Sequence, residues 1–297
     1  MTDPFTALSD QLAARVAVAA PGLVSIYPGT RAERSGFAWQ TGLVVTSEQD
    51  LPPGTDVPVM LPGGGSATAV VAGRDPGTNI ALLRLEIEAP ALGDSTPATG
   101  AMVLAMGSER GEPTVSLGVV HRTGPAWESM AGGTIDRLIR LELRLSSRAE
   151  GGPVVTASGA LVGFSTFGPR RRVLVIPAGT VRRMIPLLVH GSAPRGWLGV
   201  GRQPVGLPAA LQAALQPGAG RETGLMVMSL APDGPAEQAG VLPGDILLDV
   251  SGVAAPTPRA VARAMVGAIM GQPVPLRLLR GGAPIELSVT PSARPGA

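Results

Sequence analysis

The chain has 297 residues, which is enough for two domains with buried cores, and its net charge is only +2. It contains no cysteine, so disulfides, thiolate chemistry and Cys-ligated metals are excluded. All 24 basic residues are arginine, but there are only three Trp, one Tyr and four Phe. Because nucleic-acid binding needs clustered basic side chains, often with aromatic side chains that stack on bases, we expect no nucleic-acid partner.

The first predicted element is an N-terminal helix. Leu8, Leu12 and Val16 recur at helical spacing and predict a helix over residues 6–18, which Pro21 ends. The residues around these positions are also apolar, as a helix with one buried face requires.

The start of the chain bears on the cellular compartment. Residues 1–12 contain Asp3 and Asp10 and no arginine, whereas a secretory signal begins with basic residues followed by an apolar run. The uncharged stretch 16–30 is broken by two prolines, so no membrane-spanning helix fits it. The sequence therefore predicts a cytoplasmic protein without a membrane partner, or a periplasmic one if its N-terminus has been trimmed.

Short apolar and β-branched runs, separated by Gly, Pro, Asp and Ser, dominate the chain from residue 21 to about residue 177. Runs this frequent, with no long helices between them, predict an all-β barrel or sandwich. Predicted strands include 43–46, 57–61, 67–72, 80–85, 102–106, 115–120, 138–145 and 161–165. A helix over residues 178–189 is predicted to close this domain.

The second half mixes strands with short helices. The predicted strands are 224–230, 246–250, 274–279 and 285–289, and the predicted helices are 208–215 and 258–267. The domain boundaries that we predict are an N-terminal helical segment 1–20, a first domain 21–190, a linker 191–196, a second domain 197–291 and a frayed end 292–297.

Several motifs form a recognisable series along the chain. They are Ser-Gly-Phe at 35–37, Val-Val-Thr at 44–46, Asp-Pro-Gly-Thr-Asn-Ile-Ala-Leu at 75–82, Gly-Gly-Pro-Val-Val at 151–155, Val-Ile-Pro at 175–177, Trp-Leu-Gly-Val at 197–200 and Pro-Ala-Glu-Gln-Ala-Gly-Val-Leu-Pro-Gly-Asp-Ile-Leu at 235–247. The series resembles the HtrA family of trypsin-like serine proteases, which carry a PDZ domain. This resemblance implies a mainly β protein, with a trypsin-like double β-barrel domain followed by a small α+β PDZ domain.

The resemblance also locates the three positions of the family's catalytic triad. Gln49 stands at the position of the histidine, Asn79 at that of the aspartate and Glu150 at that of the serine. A serine hydroxyl is a weak nucleophile unless a histidine, oriented by a carboxylate, removes its proton. We therefore expect a pseudoprotease with no catalytic residue, no cofactor and no metal, and hence not an enzyme.

The altered cleft leaves alternatives open. We expect Glu150, Arg148 and Asn79 to fill it as a polar plug, with Glu150 paired to Arg148. An enzyme with repurposed chemistry centred on Glu150 is one alternative, because a carboxylate can act as a general base. A chaperone-like holdase is another, and a homo-oligomer or a subunit of a larger complex is left open.

The expected function is binding, as an adaptor, scaffold or accessory subunit. A protein partner's C-terminus or extended segment would bind the second domain, because converging backbone N–H groups and an adjoining strand edge can hold a carboxylate and its chain. The residues that we expect to bind it are Trp197, Leu198, Gly199, Val200, Val261 and Met265, unless these only pack the domain's own core. The cluster Arg170, Arg171 and Arg172 either docks an acidic partner surface or is simply solvated.

Overall fold

The computed structural model describes residues 3–29, 33–49, 51, 54–129, 131–191, 196–215, 222–255, 257, 260–261, 264–265 and 272–292. The chain divides into two compact units, one of Met1–Trp127 with Thr134–Ala193 and one of Glu128–Gly133 with Pro194–Ala297. Most of the predicted linker, most of the predicted helix 258–267 and almost all of the frayed end lie outside the described residues. The domain boundaries given above stay predictions.

The first unit begins with a capped helix and a closed barrel. Helix α1 spans Pro4–Ala19, and the Asp3 side chain caps it by accepting a hydrogen bond from the Thr6 N–H at 3.1 Å. The barrel strands are β1 (Leu23–Ile26), β2 (Arg34–Gln40), β3 (Leu43–Ser47), β4 (Asp56–Met60), β5 (Ser66–Asp75) and β6 (Ile80–Arg84). They close antiparallel in the order β1-β2-β3-β6-β5-β4 around a core of small and branched apolar side chains.

A second closed barrel completes this unit. Its order is β11-β14-β13-β12-β7-β8. The strands are β7 (Met102–Glu109), β8 (Glu112–Gly124), β11 (Leu138–Glu142), β12 (Pro153–Thr156), β13 (Leu161–Phe167) and β14 (Val173–Pro177), and the short β9 (Trp127–Glu128) and β10 (Thr134–Ile135) pair with each other. Helix α2 (Ala178–Leu188) follows and packs on β13, where its apolar face is buried.

The second unit is built on one antiparallel sheet. Its strands are β15 (Val200–Gly206), β16 (Thr223–Leu230), β17 (Ile246–Val250), β18 (Val253–Ala254), β19 (Val274–Arg280) and β20 (Ala283–Val289), with the short helices α3 (Ala209–Ala214) and α4 (Pro235–Gln238). The order is β15-β16-β17-β19-β20, and β18 pairs with β17. Among the described residues, β15 therefore forms an edge of the sheet.

The structure confirms the mainly β class and the predicted helices at residues 4–19, 178–188 and 209–214 within a few residues. Strand β15 is the main element of the second unit that was absent from the predicted strands. Within the described ranges, no helix combines the length and the apolar character that crossing a membrane requires.

Candidate functional site

Gln49, Asn79 and Glu150 come together where the two barrels meet. Gln49 follows β3 and Asn79 precedes β6, both in the first barrel, whereas Glu150 precedes β12 in the second. The Gln49 side-chain amide donates to Glu150 Oε1, and the Gln49 backbone N–H donates to Asn79 Oδ1 at 2.8 Å. The structure thus brings the three predicted positions into direct contact.

The Glu150 carboxylate is buried, with 2% of the residue exposed, and both of its oxygens have partners. Oε1 also accepts hydrogen bonds from the Thr166 hydroxyl at 2.9 Å and from the Phe167 N–H at 3.2 Å. Oε2 lies 3.7 Å from Arg34 Nε. We call Arg34, Gln49, Asn79, Glu150 and Thr166 the Glu150 cluster.

Asn79 links the two barrels within this cluster. Its side-chain amide donates to Ser47 Oγ at 2.9 Å and to Thr166 Oγ1 at 2.8 Å. Its backbone is left-handed, with φ of 58°, a conformation that asparagine tolerates better than most residues. The amide therefore has its donors and its acceptor engaged on both sides of the interface between the barrels.

The turn after Glu150 depends on two glycines. Gly151 has φ of +87°, and a Cβ there would lie 2.2 Å from the Ser35 carbonyl oxygen. A Cβ on Gly152 would lie 2.0 Å from the Met106 carbonyl oxygen. Only glycine allows the backbone to pass this close to its neighbours.

The backbone donors of this turn are used within the chain. The Glu150 N–H donates to the Ser147 carbonyl at 3.4 Å, and the Gly151 N–H donates to the Ser165 carbonyl at 2.8 Å. Stabilising a developing oxyanion requires donors that point at the place where the charge forms. In this structure these two N–H groups point at protein carbonyls.

Arg148 is not the partner of Glu150, so the expected ion pair between them is wrong. Its side chain is 54% exposed and lies 3.3 Å from Glu109 and 3.9 Å from Glu33. Arg148 lies within a short 3-10 turn, Ser147–Ala149, and its side chain is exposed, whereas Glu150 follows the turn and is buried. Arg34, at the start of β2, takes the position beside the carboxylate instead.

The cluster contains one group whose side chain can act as a base or a nucleophile. The amide nitrogens of Gln49 and Asn79 have no basic lone pair, so this group is the Glu150 carboxylate. In the part of the chain that the structure describes, no group of three or more His, Cys, Asp or Glu side chains is arranged to hold a metal ion.

The second candidate site is the segment that leads into β15. The Leu198 carbonyl accepts from the Ala236 N–H at 2.9 Å, and the Gly199 carbonyl accepts from the Ala231 N–H at 2.8 Å. In a trans peptide the following N–H points the opposite way from the carbonyl, so the N–H groups of Gly199 and Val200 point away from these partners. Within the described chain, the N–H groups of Leu198 and Gly199 donate no hydrogen bond.

The other predicted peptide-binding residues have mainly structural contacts. Trp197 forms an antiparallel bridge with Ser292, donating its N–H at 2.9 Å. Val261 is fully buried and Met265 is 4% exposed, and both belong to the core of the second unit together with Leu198. They pack this core, and their contact with a bound segment stays a prediction.

Arg170, Arg171 and Arg172 are exposed; the first two belong to a short 3-10 turn, Pro169–Arg171, and the third follows it. The Arg171 guanidinium lies 4.5 Å from the centre of the Phe167 ring. None of the three has an ion-pair partner among the described residues.

Arg171 and Phe167 also line a cavity of about 730 Å³, whose other lining residues include Arg144, Ser146 and Ser147. Docking of an acidic surface at this cluster stays a prediction.

Comparison with known proteins finds a matching domain family in each of the two units. The trypsin-like peptidase domain family matches residues 34–164, and the PDZ domain family matches residues 196–290. The two matches together cover more than half of the chain. The chain belongs to the HtrA-like family, in which a trypsin-like peptidase domain is combined with a PDZ domain, and the predicted fold class is confirmed.

Individual relatives agree with this assignment. A protein of Brucella suis named "Probable periplasmic serine endoprotease DegP-like" is 32% identical over 281 residues, which cover 89% of this chain and 53% of that protein. The chain thus spans about half the length of such curated relatives. A variant of the HtrA-type protease AlgW with a tripeptide is 26% identical with a TM-score of 0.68, covering 96% of this chain and 98% of that one. AlgW with a decapeptide has the same fold, with a TM-score of 0.66 at 24% identity and coverage of 96% and 99%.

These relatives correct two expectations. The expectation that the chain is not an enzyme is contradicted, because the relatives are named serine endoproteases and therefore support the interpretation that the chain is a protease. That expectation was drawn from three side chains alone. The expectation of a cytoplasmic protein is contradicted as well, because the relatives are named periplasmic. It was drawn from the acidic first residues.

Proposed function

We propose that this chain is a periplasmic HtrA-family protein that binds the C-terminus or an extended segment of a partner protein at its PDZ domain, as an adaptor or accessory subunit. The observation that carries the proposal is the pair of backbone N–H groups at Leu198 and Gly199, which donate no hydrogen bond within the described chain and stand at the start of an edge strand. Backbone N–H groups that are left unpaired beside a strand edge can bind the carboxylate of a C-terminus.

The edge of β15 would extend the site along the ligand. Val200 lies opposite Leu230, next to the hydrogen bond from the Ala231 N–H to the Gly199 carbonyl. Val200 is therefore in a non-hydrogen-bonded pair, and its N–H and C=O face the open edge. A ligand whose carboxylate sits at Leu198 and Gly199 can pair with this edge as an added strand.

Binding of a C-terminus is tested with the full chain and a fluorescent octapeptide, in free-carboxylate and amidated forms. We expect saturable binding of the free form, measured by anisotropy, and no binding of the amidated form. The site variant is Gly199→Glu, which places a side chain and a negative charge at the carboxylate position, and we expect it to abolish binding. Equal binding of the two peptide forms would contradict the proposal.

The chain offers a matched control for this variant. Gly252 has φ of +74°, almost the same as the +75° of Gly199, and no atom lies within 4 Å of its Cβ position. Gly252→Glu therefore introduces the same backbone strain and the same charge away from the proposed site. We expect it to bind the free peptide as the wild type does, with circular dichroism showing that both variants are folded.

We further propose that Gln49, Asn79 and Glu150 occupy the triad positions, and one observation favours a second function there. Glu150 carries the one carboxylate of its cluster, so chemistry centred on it would use this carboxylate as a base or nucleophile. Hydrolysis of casein is measured on wild type and on Glu150→Gln. Cleavage by the wild type that is lost in the variant supports this function. If the wild type and the variant cleave casein equally, the chemistry does not depend on Glu150.

A further inference from the structure

Arg202 occupies an unusual position in β15. It lies opposite Val227, a residue that is 2% exposed and belongs to the core of the second unit. Residues that face each other across an antiparallel pair carry their side chains on the same face of the sheet. The Arg202 side chain therefore leaves the edge strand on the core face, the face on which Val200 also packs.

The guanidinium of Arg202 has no partner in the described chain. Its Nε is buried without a hydrogen bond, and Arg202 forms no ion pair with any described residue. Burial lowers the pKa of this guanidinium, as expected when no carboxylate offsets the loss of water. The side chain as a whole is only partly buried, but a buried donor without a partner is costly, and native proteins rarely keep one without a reason.

Pro204 fixes which backbone groups of β15 face the open edge. Proline has no N–H to give to β16, so its pair with Leu225 takes a non-hydrogen-bonded position. Arg202 stands two residues earlier, and pairs alternate along a strand, so its N–H and C=O also face the edge. Both the backbone and the side chain of Arg202 thus lie at the place where an added strand would pair.

We infer that the segment bound at β15 carries an Asp or Glu as its third residue from the C-terminus, and that this carboxylate pairs with Arg202. The inference rests on the proposed function. A ligand that ends at Leu198 and Gly199 runs antiparallel to β15, so its last residue lies opposite Val200 and its third-from-last residue lies opposite Arg202. Side chains of such a pair share one face, which places the acidic group beside the guanidinium.

The inference is tested with three free-carboxylate octapeptides that differ only in having Glu, Gln or Lys at the third position from the end. We expect wild type to bind the Glu peptide about tenfold more tightly than the Gln peptide, since hydrogen bonds to charged groups contribute more than neutral ones. The Lys peptide should bind most weakly. In Arg202→Gln we expect the Glu and Gln peptides to bind equally, and in Arg202→Glu we expect the order of Glu and Lys to reverse.

Controls separate this inference from the proposed function. Arg122→Gln removes one exposed arginine of the first unit, so it matches the charge change and should keep the tenfold preference. Equal binding of the three peptides by wild type, with binding still abolished by amidation, would overturn the role of Arg202 and leave the proposed function standing. If none of the free-carboxylate peptides binds, both are overturned.

Discussion

Glu150 shows how much of a buried site depends on contacts that are distant in sequence. Its motif position predicted contact with Gln49 and Asn79, and the structure brings the three together. Thr166 and Arg34 were not predicted, because they reach the carboxylate only when β13 and β2 pack beside it. A polar Ser165-Thr166 pair inside an otherwise apolar run was the available hint.

Removing the Glu150 carboxylate should destabilise the first unit. Glu150→Ala removes the buried carboxylate that accepts from Gln49 and Thr166 and lies beside Arg34, so we expect a loss of about 3 kcal/mol in the free energy of unfolding. Glu150→Gln, which keeps an acceptor oxygen, should lose less. Urea unfolding followed by circular dichroism measures both. Glu142→Ala, at a side chain that is 67% exposed, is the control and should stay within about 0.5 kcal/mol of wild type.

Gly151 should tolerate no side chain. Gly151→Ala would place a Cβ 2.2 Å from the Ser35 carbonyl oxygen at a φ of +87°, so we expect the variant to unfold at a much lower temperature or to be insoluble. Gly42→Ala has nearly the same φ, +83°, with no atom within 4 Å, and isolates the cost of the backbone conformation, about 1 kcal/mol. Similar melting temperatures for the two variants would show that the turn can move.

At the scale of elements, the regular apolar strands were predictable and the edge strand β15 was not. β17 was predicted at its observed bounds, because its run of apolar residues is buried. In β15, Arg202, Gln203 and Pro204 interrupt the apolar pattern, because an edge strand has one row of backbone groups unpaired and fewer side chains to bury. These interrupting residues made the strand hard to predict, and the proposed binding properties of β15 depend on two of them, Arg202 and Pro204.

The loop that leads into β17 should make the second unit sensitive to acid. Arg280 donates to both oxygens of Asp245, at 2.9 and 2.7 Å, and the Leu242 N–H donates to the same carboxylate at 2.9 Å. Burial alone would raise the pKa of Asp245, but these hydrogen bonds and the Arg280 charge hold it below its ordinary value. A carboxylate with a lowered pKa stabilises the folded state above its unfolded pKa of about 3.9 and loses this contribution as the pH falls through the folded pKa.

Arg280→Gln tests this dependence. We expect the variant to melt at a lower temperature than wild type at pH 7, and the difference to shrink as the pH falls below about 4. Thermal unfolding at a series of pH values measures it. A difference that is independent of pH would mean that Arg280 acts through packing, and Arg277→Gln, on the same strand, serves as a charge-matched comparison.

At the scale of the whole molecule, the two-domain organisation was predictable from length and motif order. The first unit contains two barrels with their own cores, and the second has a separate core around its sheet. Activity and compartment were not predictable from the same residues. Both expectations were contradicted by relatives, because three side chains and an acidic first segment do not determine what the family does or where it acts.

Separate cores predict separate unfolding. We expect two transitions in differential scanning calorimetry, because compact units that have their own cores often unfold as separate cooperative units. Glu150→Ala should shift one transition and Arg280→Gln the other. A single transition that moves with either variant would show that the units unfold as one.

Pro204 also has a consequence for solubility. An edge strand with free N–H and C=O groups is a template for other chains, including other copies of this protein, and long open edges promote aggregation. Because Pro204 removes one outward donor, the part of β15 that can template a regular ladder is limited to the residues before it. The open part of β15 is thereby short, and a short open edge is a poorer template for a growing intermolecular sheet than a long one.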